Sequence, residues 1–154
     1  MDFIDEKINI YSELHSSPES EILKNLTRET LADVLMPRML SGLLQGRMVS
    51  MISCMIQPLS ILEIGTYTGY SALCLAEGLK DNGLIHTIDI NDELTPMVRK
   101  YVSLAGLDSK FRIYTGNALD IIPTLNGPFD LVFIDADKIN YTNYFDLVFD
   151  KVNK

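Results

Sequence analysis

The chain has 154 residues and a net charge of −8, from 13 Lys and Arg against 21 Asp and Glu. This length has room for one domain with a real hydrophobic core, and 47% hydrophobic with 22% charged residues excludes a disordered or collagen-like chain. The acidic balance argues against a nucleic-acid-binding protein, because neutralising phosphates needs a basic surface.

The N-terminus and the cysteines predict the compartment. Residues 1–6 are acidic where a secretory signal is basic, and no apolar run approaches the roughly 20 residues of a membrane span. Cys54 and Cys74 lie in apolar stretches without metal-ligand spacing, which favours two buried thiols over a disulfide. The sequence therefore predicts a cytoplasmic protein with no membrane contact.

The first third of the chain predicts two helices. Apolar residues at three- and four-residue intervals predict a helix over 18–35, and residues 17–20 resemble a helix start. A second pattern covers 39–55, carries a broad methionine-rich face and ends at Pro58. Such a face is either an adaptable binding surface or a packing surface. We favour packing, on the main sheet or on a second copy of the chain, so that a homodimer is expected.

From residue 60 onward, strands and helices alternate. The strand candidates are 61–64, 84–88, 111–114 and 129–134, and the helical patterns are 71–80, 94–105 and 118–125. This alternation predicts an α/β fold, a doubly wound Rossmann-like sheet of strand order 3-2-1-4 with helices on both faces. The prediction is a single domain over 1–154, with a helical part at 1–58 and the core at 59–154. Ligands of such sheets bind at the carboxyl ends of the strands.

The loop after the first strand is the most informative segment. It contains Gly65 and Gly69 between a strand and a helix, where backbone N–H groups and a helix N-terminus meet a ligand. Three other residues separate the two glycines, whereas a dinucleotide fingerprint requires G-x-G-x-x-G. The spacing therefore indicates a nucleotide-type site that does not approach a pyrophosphate closely.

Two further strand ends support this site. Asp89 ends the second strand, where the fold presents an acid to ribose hydroxyls. A helix N-cap is the alternative role, but Asn91 or Asp92 can serve there. The turn at 115–118, which ends in Ala118, has the small side chains expected where an adenine ring lies against backbone, although it also fits an ordinary strand-to-helix turn.

The fourth strand ends in three charged residues, Asp135, Asp137 and Lys138. Charges at the end of a buried strand need partners or a function. The two carboxylates could share a divalent cation such as Mg²⁺. A cation next to Lys138 would favour its neutral amine, which could act as a general base. The alternative is a surface loop with a local ion pair.

Two of these motifs resemble one family. LEIGTYTGYS at 62–71 and FDLVFIDADKINY at 129–141 are similar to the cation-dependent O-methyltransferases, the group that contains the catechol and caffeoyl-coenzyme A enzymes. The likeness runs from about residue 37 to the last residue, and MLSGLLQG at 39–46 resembles the family more loosely.

The resemblance implies roles for individual residues. Asp89 matches the ribose-binding acid, Ala118 the adenine contact, and Met39 a position whose backbone meets the cofactor's carboxylate. Asp135 matches a metal ligand that borders the cofactor, and Lys138 matches the catalytic base. The implied cofactor-binding residues for S-adenosylmethionine are Met39, Glu63, Gly65, Thr66, Ser71, Asp89, Ala118 and Asp135; the implied catalytic residues are Lys138 and Asp135; the implied metal ligand is Asp135.

The implied reaction transfers the methyl group of S-adenosylmethionine to a hydroxyl of a catechol-like small molecule. A divalent cation assists it, and Mg²⁺ is the cation we expect. A phenol ionises near a pH of about 10, and two vicinal hydroxyls that chelate a cation would have one proton made more acidic. The acidic net charge suits a sulfonium and a metal, and favours a small phenol over a polyanionic coenzyme A ester.

The sequence departs from the family at its end. The family completes its metal site with an Asp-Asn pair after a fifth strand, and residues 150–154 resemble only the approach to that strand. The fourth strand would also be an apolar strand at the edge of the sheet, where its unpaired backbone could pair with another chain and aggregate. We therefore expect that the chain lacks the family's C-terminal part. Two alternatives stay open: a nicotinamide-dependent oxidoreductase, and a cofactor-binding module without catalysis.

Overall fold

In the computed structural model, which describes residues 5–153, four parallel strands form one sheet of order β3-β2-β1-β4. The strands are β1 (Ser60–Ile64), β2 (Leu84–Asp89), β3 (Phe111–Thr115) and β4 (Leu131–Ile134). The helices are α1 (Glu6–Leu14), α2 (Glu21–Asp33), α3 (Gly42–Ile56), α4 (Tyr70–Ala76), α5 (Thr95–Leu104), α6 (Ala118–Ile121) and α7 (Tyr141–Phe149). The predicted doubly wound fold and its strand order are confirmed.

The sheet is covered on both faces, as the alternation of strands and helices requires. Successive side chains of a strand point to opposite faces, and Ile61 accordingly packs in the core under α2, α4 and α5, whereas Leu62 packs in the core with α6 and α7. The predicted helix start before α2 is confirmed, because the Ser20 hydroxyl accepts the N–H of Leu23 at 3.3 Å. Residues 1–58 and 59–154 stay a predicted division of one domain.

The methionine-rich face of α3 does not pack on the main sheet, and its packing on a second copy of the chain stays a prediction. Its methionines Met48, Met51 and Met55 are exposed, and the buried residues are Gly46, Val49, Ser50 and Ser53. The reason is close packing on α4. A Cβ on Gly46 would lie 2.6 Å from Cε1 of Tyr70, and a Cβ on Gly78 would lie 2.2 Å from the carbonyl carbon of Ser53. Small residues therefore form the contact, and the methionine-rich face is left outside.

Two expectations about the compartment need correction. The segment Pro37–Ile56 spans 20 residues and contains an 18-residue window with a mean hydropathy of 1.3, so by length and composition alone it is apolar enough to cross a membrane. One such helix is weak evidence, because core helices of soluble proteins meet the same criterion. Cys74 is buried as expected, but Cys54 is exposed, since it lies on the outer side of α3. Both cysteines are free thiols.

A single parallel bridge joins Phe129, just before β4, to Val152 near the end of the chain. The N–H of Phe129 donates to the carbonyl of Lys151 at 2.7 Å, and the N–H of Asn153 donates to the carbonyl of Phe129 at 2.9 Å. The next N–H, of Asp130, donates to Ser60 at the start of β1. Successive backbone groups of an extended chain point in opposite directions, so residues 151–153 lie beside the edge that β1 does not cover.

Candidate functional site

The carboxyl ends of the four strands surround one cavity of about 990 Å³. Parallel strands bring these ends to one edge of the sheet, where ligands of such folds bind. Eight of the nine predicted site residues line this cavity: Met39, Gly65, Thr66, Ser71, Asp89, Ala118, Asp135 and Lys138. The ninth, Glu63, lies directly behind the wall of the cavity and contacts Ser71.

Gly65 lies where the chain leaves β1, and only glycine fits there. Its φ of +106° is unfavourable for a residue with a side chain, and a Cβ would lie 2.2 Å from the backbone oxygen of Asp135. Its N–H donates to the carbonyl of Ile88 at 2.9 Å. The loop is therefore held between the ends of β2 and β4, with its backbone against the cavity.

Glu63 is a fully buried carboxylate that anchors this loop. Its oxygens accept hydrogen bonds from the hydroxyls of Ser71 at 2.6 Å and Thr87 at 2.5 Å. Burial raises the pKa of Glu63 to about 7, although both hydroxyls lower it, and the charges of Asp89 and Asp135 add to the rise. The buried charge is thus partnered, as such charges must be.

The carboxylate of Asp89 lies at the end of β2 and is held by two backbone N–H groups. One oxygen accepts the N–H of Tyr67 at 2.6 Å, and the other accepts the N–H of Asn91 at 2.9 Å. Each carboxylate oxygen has a second lone pair, so the group can still accept two hydroxyls. Asn91 caps the next turn, because its side chain accepts the N–H of Glu93 at 3.0 Å. The N-cap alternative for Asp89 is therefore wrong.

Ala118 lies at the other end of the cavity, at the first position of α6. Asn117 caps this helix by accepting the N–H of Leu119 at 3.0 Å, and Gly116 at the end of β3 has a φ of +143°. Ala118 is buried and presents only a methyl group. A flat ring can therefore approach the backbone at this point, between the ends of β2 and β3.

Met39 reaches the cavity on a strap between α2 and α3. Met36 has a φ of +61°, and its carbonyl accepts the hydroxyl of Tyr67 at 3.2 Å. The N–H of Met39 donates to this same carbonyl at 2.9 Å. A carboxylate can be bound by the Met39 backbone only if this N–H is shared or released, so that role stays a prediction.

The charged residues after β4 have different surroundings. Asp135 is exposed, and its carboxylate accepts the side-chain amide of Gln45 at 3.0 Å. Asp137 accepts the hydroxyl of Tyr144 with one oxygen and the amide of Asn140, at 2.6 Å, with the other. The Tyr144 hydroxyl is the main reason that the pKa of Asp137 is lowered. Asp137 therefore holds the start of α7.

The region after β4 offers few ligands for a divalent cation. No group of three or more His, Cys, Asp or Glu side chains suited to a metal exists among residues 5–153. Asp135 and Asp137 both line the cavity on this side, and octahedral Mg²⁺ needs more oxygen ligands than these two carboxylates supply. The described residues therefore do not complete a metal site by themselves, and the interpretation that Asp135 and Asp137 share a cation stays a prediction.

Sequence reasoning did not identify four polar residues of this region. They are Gln45, Tyr67, Thr87 and Tyr144, which contact Asp135, Asp89, Glu63 and Asp137. The position of Thr87 could have been inferred from the parallel register, which pairs it with Glu63. The other three contacts depend on loops and helix orientation, for which the sequence carries no local signal.

The sheet order, the glycine loop and the cavity at the strand ends define a Rossmann-like fold, which solved O-methyltransferases share. Among solved structures, an O-methyltransferase from Streptomyces achromogenes in complex with S-adenosylmethionine superimposes with a TM-score of 0.89 at 28% identity, covering 96% of this chain and 67% of that one. An O-methyltransferase from Bacillus cereus in complex with S-adenosylhomocysteine gives 0.88 at 28% identity, covering 96% and 68%.

The sequence comparisons are more specific. The O-methyltransferase family model matches residues 13–154, and the chain therefore belongs to this family. A catechol O-methyltransferase from Niastella koreensis is 39% identical over 120 residues, 75% of this chain and 54% of the relative. A caffeoyl-CoA O-methyltransferase from Petroselinum crispum is 36% identical over 140 residues, 87% and 58%. The chain thus spans about half the length of the curated relatives it matches.

Proposed function

We propose that this protein binds S-adenosylmethionine and transfers its methyl group to a hydroxyl of a small catechol-like molecule. The observation that carries this proposal is the convergence of the Gly65 loop, Asp89 and Ala118 on one cavity, with Glu63 behind it. Family membership and two neighbours with S-adenosylmethionine or its product bound support the same cofactor. The nicotinamide alternative has no comparable support.

The cofactor's three parts have separate partners in this proposal. Asp89 accepts the ribose hydroxyls, Ala118 contacts the adenine, and Gly65, Thr66 and Ser71 contact the amino-acid end. Bound S-adenosylmethionine supplies an electrophilic methyl group on a sulfonium. Holding this group rigidly against an acceptor removes most of the orientational entropy cost of the transfer.

Lys138 is proposed as the general base that deprotonates the acceptor hydroxyl. It lines the cavity beside Asp135 and is exposed. In this role its amine takes the proton of the acceptor hydroxyl while that oxygen bonds to the methyl carbon, and the carbon–sulfur bond electrons leave with S-adenosylhomocysteine. Divalent-cation assistance through Asp135 remains part of the proposal on the strength of the family resemblance. No step is derived through the cation, because the described residues do not complete its site.

The class of acceptor molecule, the oligomeric state and the cellular location are also part of the proposal. Relatives are named for both catechol and caffeoyl-CoA substrates. The net charge of −8 favours a small phenol, since a polyanionic coenzyme A ester would be repelled at long range. The exposed methionines of α3 support a homodimer, because large apolar patches mark interaction sites. A cytoplasmic location is proposed in line with the two free thiols.

The cofactor assignment is tested by calorimetry with S-adenosylhomocysteine. Asp89→Ala should bind at least about tenfold more weakly than wild type, because two hydrogen bonds to a charged group are lost. Asp92→Ala is the matched control, since Asp92 is a nearby carboxylate that does not line the cavity. Equal affinity of wild type and Asp89→Ala would refute the ribose assignment.

A second titration distinguishes a methyltransferase from a nicotinamide-dependent oxidoreductase. We expect wild type to bind S-adenosylhomocysteine and to show no heat with NADH. Methylation of catechol by wild type, followed with and without Mg²⁺ after EDTA treatment, then distinguishes an enzyme from a binding module. Binding of NADH in preference to S-adenosylhomocysteine would overturn the methyltransferase proposal.

A further inference from the structure

The strap between α2 and α3, residues 34–41, forms one wall of the cavity and is fixed at both of its ends. At the first end, the hydroxyl of Tyr67 donates to the carbonyl of Met36 at 3.2 Å. Just beyond the second end, the side-chain amide of Gln45 in α3 donates to Asp135 at 3.0 Å. The strap therefore runs from the loop after β1 to the loop after β4, and its side chains face the space between these loops.

The middle of the strap presents one cation between apolar side chains. The backbone turns at Met36, which has a φ of +61°, and Pro37–Met39 form a 3-10 turn. Proline restricts φ at the first position of this turn, and the N–H of Met39 donates to the carbonyl of Met36 at 2.9 Å. Arg38, Met36 and Met39 are exposed and line the cavity. The wall thus combines apolar area with a single guanidinium.

The charges of the cavity single out Arg38. Five carboxylates and two cations line it: Asp33, Asp89, Glu93, Asp135 and Asp137 against Arg38 and Lys138. The three salt bridges among residues 5–153 include neither of the two cations. An anionic group of a ligand is therefore repelled by most of the protein wall and attracted only at these two side chains. Arginine suits a carboxylate best, because its planar guanidinium can donate two parallel hydrogen bonds to it.

Arg38 and Lys138 come from separate segments, so they can contact different groups of one acceptor molecule. Lys138 is already proposed to take the proton of the acceptor hydroxyl, which leaves Arg38 for a second polar group. We propose that the acceptor is a catechol that carries a carboxylate, and that Arg38 binds this carboxylate while Met36 and Met39 contact the ring. This inference rests on the proposed function and names the class of its acceptor. A single negative charge is repelled at long range far less than a polyanion.

The experiment compares 3,4-dihydroxybenzoate with 3,4-dihydroxybenzamide, its neutral amide of nearly the same shape. Calorimetry is done at neutral pH and low ionic strength on protein saturated with S-adenosylhomocysteine, which has no methyl group to transfer, so that binding is measured without turnover. Wild type should bind the benzoate about fivefold more tightly than the benzamide, the upper range for an exposed ion pair. Added salt should reduce this preference, because it screens the charge of Arg38.

Three variants locate the preference. Arg38→Gln should abolish it, whereas Arg38→Lys should keep a smaller preference, because the charge stays and the paired hydrogen bonds are lost. Arg99→Gln is the matched control, since Arg99 on α5 is also exposed but does not line the cavity. It should keep the full preference of wild type.

Each contrary result has a separate meaning. Wild type that binds no S-adenosylhomocysteine overturns the proposed function and this inference together. Wild type that binds S-adenosylhomocysteine but binds the two catechols equally, or binds neither, overturns this inference alone. A preference that Lys138→Met abolishes and Arg38→Gln keeps assigns the carboxylate to Lys138 and overturns the role of Arg38. Weaker binding of S-adenosylhomocysteine itself by Arg38→Gln, with the preference for the benzoate kept, assigns Arg38 to the cofactor and also overturns it.

Discussion

The two sides of the cavity hold their charged groups in different ways. On the β1–β2 side, Glu63 is fully buried, and both hydroxyls that contact it donate their protons to its carboxylate. On the β4 side, Asp135 and Lys138 are exposed. The hydrogen bond from Tyr144 to Asp137 connects this loop to the core. The first side is organised by the packed sheet itself, and the second by a loop and one helix. Substitutions should therefore cost most stability near β1 and least at Lys138.

The largest effect is expected at Gly65. Gly65→Ala places a Cβ 2.2 Å from the backbone oxygen of Asp135 at a φ of +106°. The strain and overpacking should lower the free energy of unfolding by about 3 kcal/mol or more. Urea unfolding followed by circular dichroism measures this. Gly106→Ala is the control, because its φ is +70° with no atom near the added Cβ, so that only about 1 kcal/mol should be lost. Equal losses would contradict the close approach.

The next effect concerns the pH dependence that Glu63 contributes. Its pKa is raised from 4.5 to about 7 in the folded protein. The folded state therefore binds more protons than the unfolded state between these values, and this contribution to stability falls as pH rises. Relative to Glu63→Gln, wild type should lose up to about 3 kcal/mol between pH 4.5 and 7. Thermal unfolding of both proteins across this range checks it, and parallel curves would show that Glu63 does not titrate there.

A smaller effect is expected on the β4 side at Tyr144. Tyr144→Phe removes the hydroxyl that Asp137 accepts and should lower Tm by about 2–4 °C at neutral pH. The pKa of Asp137 is lowered in the folded protein, so its contribution is present above the unfolded pKa and is lost as pH falls. The difference from wild type should therefore shrink as pH falls below the unfolded value of 3.8 and be lost in strong acid. A difference that persists there would mean that packing, and not the carboxylate, stabilises this contact.

The smallest effect on stability is expected at Lys138. The side chain is exposed, and no hydrogen bond or salt bridge to it is present among residues 5–153. Lys138→Met should leave Tm and the affinity for S-adenosylhomocysteine unchanged while methyl transfer is lost, if Lys138 is the base. Calorimetry and a methylation assay on the same preparation separate these outcomes. Retained transfer would remove Lys138 from the mechanism.

Much of the fold was predictable because its signals are local. Ser20 marks the start of α2, and the strands around Ile61 and Ile85 show as short apolar runs between turn residues. Helices α1 and α7 were not predicted, and the predicted helix at 118–125 is a short α6 followed by a 3-10 turn at Ile122–Thr124. Proline at position 123 explains this break, since it cannot continue an α-helix in its interior.

The sequence by itself determined the strand–helix alternation, the strand order and the positions of Gly65 and Asp89 at strand ends. These depend on local pattern and on the general handedness of crossover connections. Only the tertiary structure decided that α3 buries its small residues, that Asp137 is bound by Tyr144 and that Thr87 links Glu63 to Thr66. Each of these is a contact between elements distant in the chain. Such contacts depend on how closely backbones approach and which way side chains point, and composition and periodicity do not encode either.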